Sequence, residues 1–230
     1  MGCPVKKISR KGGGSALIND RLLAVELVKR VSNAVNIPVT VKTRLGWDNK
    51  EENIEGFLLS LQDAGAEMIT LHGRTRKEGF SGKADWDMIG KIKELLEIPV
   101  IANGDIKTPN DALNCFKKTN ADGLMIGRGI LGSPWKIGEI DYAIKELKGF
   151  KEPNIEEKLL LIIEQLDELI KEKGTHGLLI ARKHISWTCK NFQGATKLRN
   201  KLVRATDANE VKELINKAIK TLNYEKKILT

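Results

Sequence analysis

The sequence predicts an α/β fold that corresponds to the C-terminal half of a (β/α)8 TIM barrel, followed by a small all-helical domain. Two observations support this prediction. Short, nearly continuous apolar runs alternate with amphipathic helical patterns through residues 1–149, as in parallel sheets whose strands are buried on both faces. After Pro153 only helical patterns follow. We therefore predict a partial barrel domain over residues 1–149 and a helical domain over residues 150–230.

Four apolar runs are the predicted strands. They are PVTVKTRLG at 38–46, EMITLHGR at 67–74, IPVIANGD at 98–105 and DGLMIGRG at 122–129. Successive runs begin roughly one βα unit apart, which is about 30 residues. Strands that alternate with helices are expected to be parallel and joined by right-handed crossovers. A complete barrel has eight strands, so four of them predict half a barrel with open sheet edges.

Helices are predicted before and between these strands, over 20–35, 52–64 and 85–96, and a further one begins with Thr108 as N-cap and Pro109 as first helical residue. The first helix is predicted to bury one apolar stripe. Its members are Ala24, Leu27, Val28, Val31 and Val35. The helical domain is predicted to contain four helices. They span 155–172, 177–191, 195–205 and 208–222, the last with a capping box at Asp207 and Glu210.

Composition and charge favour a cytoplasmic protein that binds a polyanion. The 230 residues carry a net charge of +9, which favours nucleic acid as a partner. The basic excess is larger in residues 150–230, although that segment is the shorter one. No apolar run approaches the roughly 18 residues of a membrane span, and no signal-peptide pattern is present. The three cysteines, Cys3, Cys115 and Cys189, have neither disulfide-framework nor zinc-site spacing, so no metal is expected.

Polar residues and glycines are concentrated at the carboxyl ends of the predicted strands, where a barrel has its active site. Asn103, Gly104 and Asp105 end the third strand, and Gly127 and Arg128 end the fourth. Exposed backbone amides with a nearby arginine suit a phosphate group. The alternative is that these glycines serve only as turn residues. The glycine fingerprints of dinucleotide-binding sheets and of P-loops are absent.

Three further residues are candidates for chemistry. Lys42 lies in the middle of a buried strand, so it must either face a polar site or form an ion pair. His72 ends the second strand and is either a ligand or a structural residue. Cys3 lies between a glycine and a proline, near Lys6 and Lys7; a thiol in such surroundings can be exposed and acidified.

Taken together, these segments resemble the tRNA-dihydrouridine synthase family. The matching segments, in family order, are MGCPVKK, GGGSAL, PVTVKTRLGWD, AGAEMITLHGRTR with GFSGKADWD, PVIANGDI, ADGLMIGRGILGSPW and RKHISW. They extend from residue 1 to about residue 200, and the ordered set is highly specific. The N-terminal half of the family's barrel has no counterpart, so the chain is similar to a family member truncated at its N-terminus.

The resemblance implies an FMN-dependent reductase that converts uridine in tRNA to 5,6-dihydrouridine, with NAD(P)H as reductant and a base that leaves its stack. It implies that Cys3 protonates C5 of the uracil after hydride addition at C6. The residues implied for FMN are Lys42, His72, Asn103, Gly104, Asp105, Gly127 and Arg128. The residues expected to bind RNA are Lys6, Lys7, Arg44, Arg74, Arg76, Arg182, Lys183 and Arg199, with Lys197, Lys201 and Arg204 as further candidates.

Two other functions are compatible with the sequence. One is another flavin-dependent barrel that acts on free pyrimidines, which would not need the basic helical domain. The other is an RNA-binding fragment or remnant without catalytic activity, which would bind tRNA in a salt-sensitive manner and bind no flavin.

Overall fold

The computed structural model describes residues 1–48 and 53–229, with side chains up to residue 224. The chain forms two compact units, Met1–Gly129 and Ile130–Thr230. The boundary between them lies closer to the N-terminus than the division at 149/150 drawn from the sequence pattern. The functions assigned to the two parts of the chain stay a prediction.

The first unit contains a four-stranded parallel sheet. Its strands are β1 (Thr40–Arg44), β2 (Met68–His72), β3 (Val100–Asn103) and β4 (Gly123–Met125), and they lie in the order β1-β2-β3-β4. The register pairs Arg44 with His72, His72 with Asn103, and Asn103 with Met125. The prediction of a parallel α/β sheet is confirmed, and the carboxyl ends of all four strands lie in one row.

Helices precede and connect these strands. They are α1 (Lys6–Ser9), α2 (Arg21–Ala34), α3 (Ile54–Asp63), α4 (Trp86–Leu95) and α5 (Pro109–Thr119). Short 3-10 helices lie at Gly14–Ile18 and Arg128–Ile130. The predicted start of α5 is confirmed. The Thr108 hydroxyl accepts a hydrogen bond from the Asp111 amide at 3.1 Å, and the Asp111 carboxylate accepts one from the Thr108 amide at 3.0 Å.

The apolar stripe of α2 is buried only in part. Ala24 and Val28 are buried, whereas Leu27, Val31 and Val35 are exposed. The prediction that the whole stripe is buried is therefore wrong. The physical reason is that α2 packs mainly against α3 and the first 3-10 helix, and these cover only one side of the stripe.

The described residues of the second unit contain five α-helices and no strand. These are α6 (Lys136–Ile144), α7 (Ile155–Lys173), α8 (His176–Thr188), α9 (Ala195–Leu202) and α10 (Ala208–Leu229). Its core includes Leu159, Leu166, Ile185, Leu202 and Ile215. At the start of α10, Asp207 accepts from the Glu210 amide as predicted, but Glu210 accepts from the Thr206 amide instead of that of Asp207.

Among the described residues, no helix has both the length and the apolar composition that a bilayer span requires.

The capping box of α5 gives a test of the fold. We expect Thr108→Ala to lower the free energy of unfolding by about 1 kcal/mol, because the Asp111 amide loses its hydrogen-bond acceptor. Urea unfolding followed by circular dichroism measures the change. Asn110→Ala, an exposed change in the same first turn, is the matched control. An equal loss in the two variants would show that the cap contributes nothing.

Candidate functional site at the carboxyl ends of the strands

A cavity of about 350 Å3 lies at the carboxyl ends of the four strands, within the size range of small-molecule sites. Seven residues predicted from the sequence line it together. They are Lys42, His72, Asn103, Gly104, Asp105, Gly127 and Arg128. The remaining lining residues are Arg44, Phe80, Ile106, Lys107, Met125, Ile126 and Gly129. The parallel register explains why residues from four separate segments meet here.

Lys42 enters the cavity from β1 and is held by an amide. Its Nζ donates to Asn103 Oδ1 at 3.0 Å, and Asn103 Nδ2 donates to the Met125 carbonyl oxygen at 2.7 Å. The asparagine thereby links three strands and fixes the direction of the lysine. Burial, followed by the charge of Arg44, lowers the pKa of Lys42. Because this partner is a neutral amide, it does not neutralise the charge that the lysine brings to the cavity.

His72 is nearly buried, with 7% of its surface exposed. Burial, followed by the positive charges of Arg44, Lys42 and Arg74, lowers the pKa of His72 to about 4. The ring is therefore neutral near pH 7. A neutral imidazole has one ring nitrogen that can accept a hydrogen bond and one that can donate.

Arg74 forms an ion pair with Asp105, which lines the cavity. Arg74 is 1% exposed, and its Nη2 lies 2.7 Å from Asp105 Oδ2. The same oxygen accepts from the Ala84 amide at 2.7 Å. Burial by itself raises the pKa of Asp105, but these two donors hold that pKa below its ordinary value. The ion pair therefore ties the turn after β3 to the start of the loop after β2, and the Ala84 amide ties the same turn to the end of that loop.

Gly104 makes the close approach in this turn possible. Its φ is +120°, and an added Cβ would lie 2.7 Å from the Cβ of Ala84 and 2.9 Å from Cδ2 of His72. Only glycine combines that conformation with that space. Gly104 therefore has a structural reason to be glycine that is independent of any ligand.

Two buried arginines hold the loop of residues 73–85. Arg44 donates to the carbonyl oxygens of Thr75 and Gly79, both at 3.0 Å. Arg74 donates to the carbonyl oxygens of Ser81 at 2.8 Å and Gly82 at 2.7 Å. Charge-assisted bonds of this kind are stronger than bonds between neutral groups. The two guanidinium groups thus hold the loop through its backbone carbonyl oxygens.

Four of the arginines expected to bind RNA instead bond to backbone carbonyls. Arg44 and Arg74 are buried, so they have no free surface for a polynucleotide, and we do not retain them as RNA-binding residues. In the second unit, Arg182 donates to Ala205 at 3.1 Å and Arg199 donates to Cys189 at 3.0 Å.

The other residues expected to bind RNA are more accessible. Lys6, Lys7 and Lys183 are exposed. The guanidinium carbon of Arg76 lies 4.4 Å from the centre of the Trp47 ring. Their assignment to RNA stays a prediction.

Cys3 is exposed and lies beside the carboxyl end of β1, outside the lining of the cavity. Its carbonyl oxygen accepts from the amide and the hydroxyl of Ser15 at 3.0 and 2.9 Å. The preceding Gly2 carbonyl accepts from Arg44 Nε at 2.8 Å. Arg44 also lines the cavity. It therefore connects the cavity to the segment that carries the Cys3 thiol.

The glycine-rich loop after Cys3 has a packing role. Gly14 has a φ of +59°, and an added Cβ would lie 2.8 Å from the carbonyl oxygen of Cys3 and 2.9 Å from its Cβ. Any larger residue would displace Cys3.

The two other cysteines are buried. Cys115 packs in the core, and burial raises its pKa to about 11, as it does for Cys189. In the part of the chain that the structure describes, no group of three or more His, Cys, Asp or Glu side chains is placed to hold a metal ion.

Sequence reasoning missed Phe80 as a lining residue. It is 57% exposed, and it stands between Gly79 and Ser81 in the loop of residues 73–85. The available signal was an aromatic residue in the segment Gly-Phe-Ser-Gly at 79–82, shortly after the predicted strand that ends in His-Gly-Arg. Nothing in the pattern showed that the loop folds back over the cavity.

Comparison with known proteins shows which family the chain belongs to. The family model for dihydrouridine synthase (Dus) matches residues 1–223. The chain belongs to the dihydrouridine synthase family. The family resemblance seen in the sequence is thereby confirmed.

Several curated relatives of this family member are named as tRNA-dihydrouridine synthases. A probable tRNA-dihydrouridine synthase 1 of Synechocystis sp. is 51% identical over 221 residues, which are 96% of this chain and 62% of the relative. A probable tRNA-dihydrouridine synthase of Rickettsia typhi is 42% identical, and the match covers 94% of this chain and 66% of the relative. The tRNA-dihydrouridine synthase B of Pasteurella multocida is 39% identical, and the match covers 91% of this chain and 64% of the relative. The chain thus spans slightly under two thirds of these relatives.

The low pKa of His72 predicts a dependence of stability on pH. Between pH 6.5 and pH 4 the unfolded chain binds a proton at this residue and the folded chain does not, so acidification lowers the free energy of unfolding in that window. Above pH 6.5 this residue makes no difference to the pH dependence.

We expect His72→Gln to lose less stability than the parent chain between pH 6.5 and pH 4, as measured by urea unfolding at each pH. His176→Gln, at an exposed histidine, is the control and should follow the parent. Parallel curves for the parent and His72→Gln would contradict the neutral-histidine assignment.

Proposed function

We propose that the chain carries the FMN site of a tRNA-dihydrouridine synthase, which reduces uridine in tRNA to 5,6-dihydrouridine with NAD(P)H as reductant. One observation carries the proposal. In a member of this family, a single cavity at the strand ends is lined by all seven residues that the resemblance implies for FMN.

The charges around the cavity fit a phosphate-bearing cofactor. Lys42, Arg44, Lys107 and Arg128 line it, and Asp105, whose carboxylate is the only one among the described lining residues, is engaged by Arg74. Arg128 is exposed, and within residues 1–48 and 53–224 it forms no ion pair with a carboxylate. A guanidinium in this state is a suitable ligand for phosphate.

The backbone beside Arg128 also fits this assignment. Gly127 is exposed, and nothing lies within 4 Å of the position that a Cβ would occupy. A ligand can therefore approach the main chain closely here. We assign the phosphate of FMN to Gly127 and Arg128, with Asn103, Gly104 and Asp105 forming the adjacent wall.

Lys42 and His72 suit the ring end of the cofactor. Lys42 brings a directed ammonium group to the cavity through its bond to Asn103, and we assign it to the pyrimidine edge of the flavin ring. His72 contributes a neutral ring that can donate or accept a hydrogen bond. When bound, FMN supplies the hydride that C6 of the uracil accepts.

Cys3 supplies the proton in this proposal. Hydride addition at C6 leaves negative charge at C5, which a positioned acid must neutralise. The thiol of Cys3 is exposed, and the hydrogen bonds from Ser15 to its carbonyl oxygen fix its backbone. Arg44 Nε donates to the carbonyl oxygen of Gly2 at 2.8 Å, so the segment that carries the thiol is bonded to a residue that lines the cavity.

We further propose that the four parallel strands are the C-terminal half of a (β/α)8 barrel, since neighbours in sequence are neighbours in the sheet and the site lies at their carboxyl ends. We propose that tRNA contacts basic side chains that are exposed. In the first unit these are Lys6 and Lys7, and in the second they are Lys183, Lys197, Lys201 and Arg204.

FMN binding tests the cofactor assignment. We expect Lys42→Met to weaken the binding of FMN by about tenfold, because a charge-assisted contact to the ring is lost. Quenching of flavin fluorescence on titration measures the affinity. Lys91→Met, an exposed change on α4 away from the cavity, is the control. A chain that binds tRNA but no FMN would favour the RNA-binding alternative.

Substitution of Cys3 tests the proton donor. We expect Cys3→Ala to reduce dihydrouridine formation in unmodified tRNA by about 100-fold or more, while FMN binding and the oxidation of NADPH in the presence of FMN stay at the parent level. Free uridine and orotate are assayed in parallel. Parent-level product from Cys3→Ala would remove the cysteine from the mechanism, and turnover of the free pyrimidines alone would exclude tRNA as substrate.

A further inference from the structure

Phe80 is an exposed aromatic residue at the rim of a strongly cationic cavity. More than half of its surface, 57%, is in contact with solvent. Its side chain has no place in the core, so burial does not explain its position. The structure nevertheless holds this ring in place from two directions.

The first constraint comes from the backbone on each side of Phe80. Arg44 bonds to the carbonyl of the residue before it, Gly79, and Arg74 bonds to the carbonyl of the residue after it, Ser81. Both arginines are buried. The loop therefore cannot carry the ring away from the cavity without breaking charge-assisted hydrogen bonds.

The second constraint is the contact between the ring and Arg128. The guanidinium carbon of Arg128 lies 4.1 Å from the ring centroid. Arg44 lies farther from the same ring, at 5.8 Å. A guanidinium at the shorter distance is held by cation–π attraction and stacking, a contact that leaves its N–H groups free to donate.

Arg128 differs in this respect from the two arginines beneath it. Arg44 and Arg74 donate hydrogen bonds to backbone carbonyls. In contrast, no described carboxylate pairs with Arg128, and the side chain of Arg128 is exposed. A long exposed side chain without such partners would sample many rotamers, and a ligand would have to order it. The ring of Phe80 removes part of that cost.

We propose that Phe80 is a positioning residue for Arg128. Its ring holds the guanidinium over the cavity, with the N–H donors directed by stacking, so that Arg128 is ordered before the phosphate of FMN arrives. This inference rests on the proposed function, which assigns that phosphate to Gly127 and Arg128. Phe80 acts through Arg128 and needs no contact with the cofactor.

A double-mutant cycle in the 230-residue chain tests the proposal, with FMN affinity measured by fluorescence titration. We expect Phe80→Leu to weaken FMN binding about fivefold to tenfold and Phe80→Tyr, which keeps the aromatic face, to bind as the parent does. In the Arg128→Ala background, Phe80→Leu should have no further effect, because the residue it positions is absent. Ser81→Ala, in the same loop, is the control.

A second measurement reports the contact without any ligand. The Nε–H signal of Arg128 in 15N-edited NMR spectra, assigned by its loss in Arg128→Ala, should move in Phe80→Leu and stay near its parent position in Phe80→Tyr, because an aromatic ring shifts nearby proton resonances.

The outcomes separate the two proposals. If the parent chain does not bind FMN, the proposed function fails and this inference fails with it. If the parent binds FMN but Phe80→Leu has the same effect with and without Arg128, or leaves the Arg128 signal in place, only the positioning role is overturned. Parent-level FMN affinity in Phe80→Leu also overturns it.

Discussion

Arg74 carries its charge in the interior of the first unit, where its guanidinium bonds to Asp105 and to the carbonyl oxygens of Ser81 and Gly82. Removing one partner of a buried ion pair typically costs about 3 to 5 kcal/mol, because the other charge stays buried and unpaired. Asp105 keeps 25% of its side chain exposed, so the cost here is lower. The wall of the cavity after β3 and the loop of residues 73–85 both depend on this pair.

The same interaction sets the electrostatics of the cavity. Because Arg74 engages the carboxylate of Asp105, that carboxylate does not balance the charges of Lys42 and Arg128 at the surface that a ligand meets. Neutral His72 adds no charge, since burial among three cations keeps it unprotonated near pH 7. The result is a cavity with unbalanced positive charge, in which hydrogen bonds direct Lys42 and engage Asp105, and such an arrangement suits the recognition of an anion.

The bonding partners of the arginines could not be predicted from the sequence. Counting basic residues predicted RNA contacts for Arg44, Arg74, Arg182 and Arg199, and the structure bonds all four to backbone carbonyls. A sequence shows that a charge is present but not whether a carbonyl lies within 3 Å of it. By contrast, residues at the ends of parallel strands meet whatever the loops do, and for this reason Lys42, Asn103 and Arg128 line one cavity.

The sequence by itself determined the strand and helix alternation, the cap of α5 and the convergence of seven residues on one cavity, because hydrophobic periodicity, capping chemistry and parallel register are local or follow from local pattern. Only the tertiary structure decided which arginines are buried, which side of α2 is covered, and that the loop after β2 returns Phe80 to Arg128. These depend on contacts between segments far apart in the chain, and such contacts leave no periodic signal in the sequence.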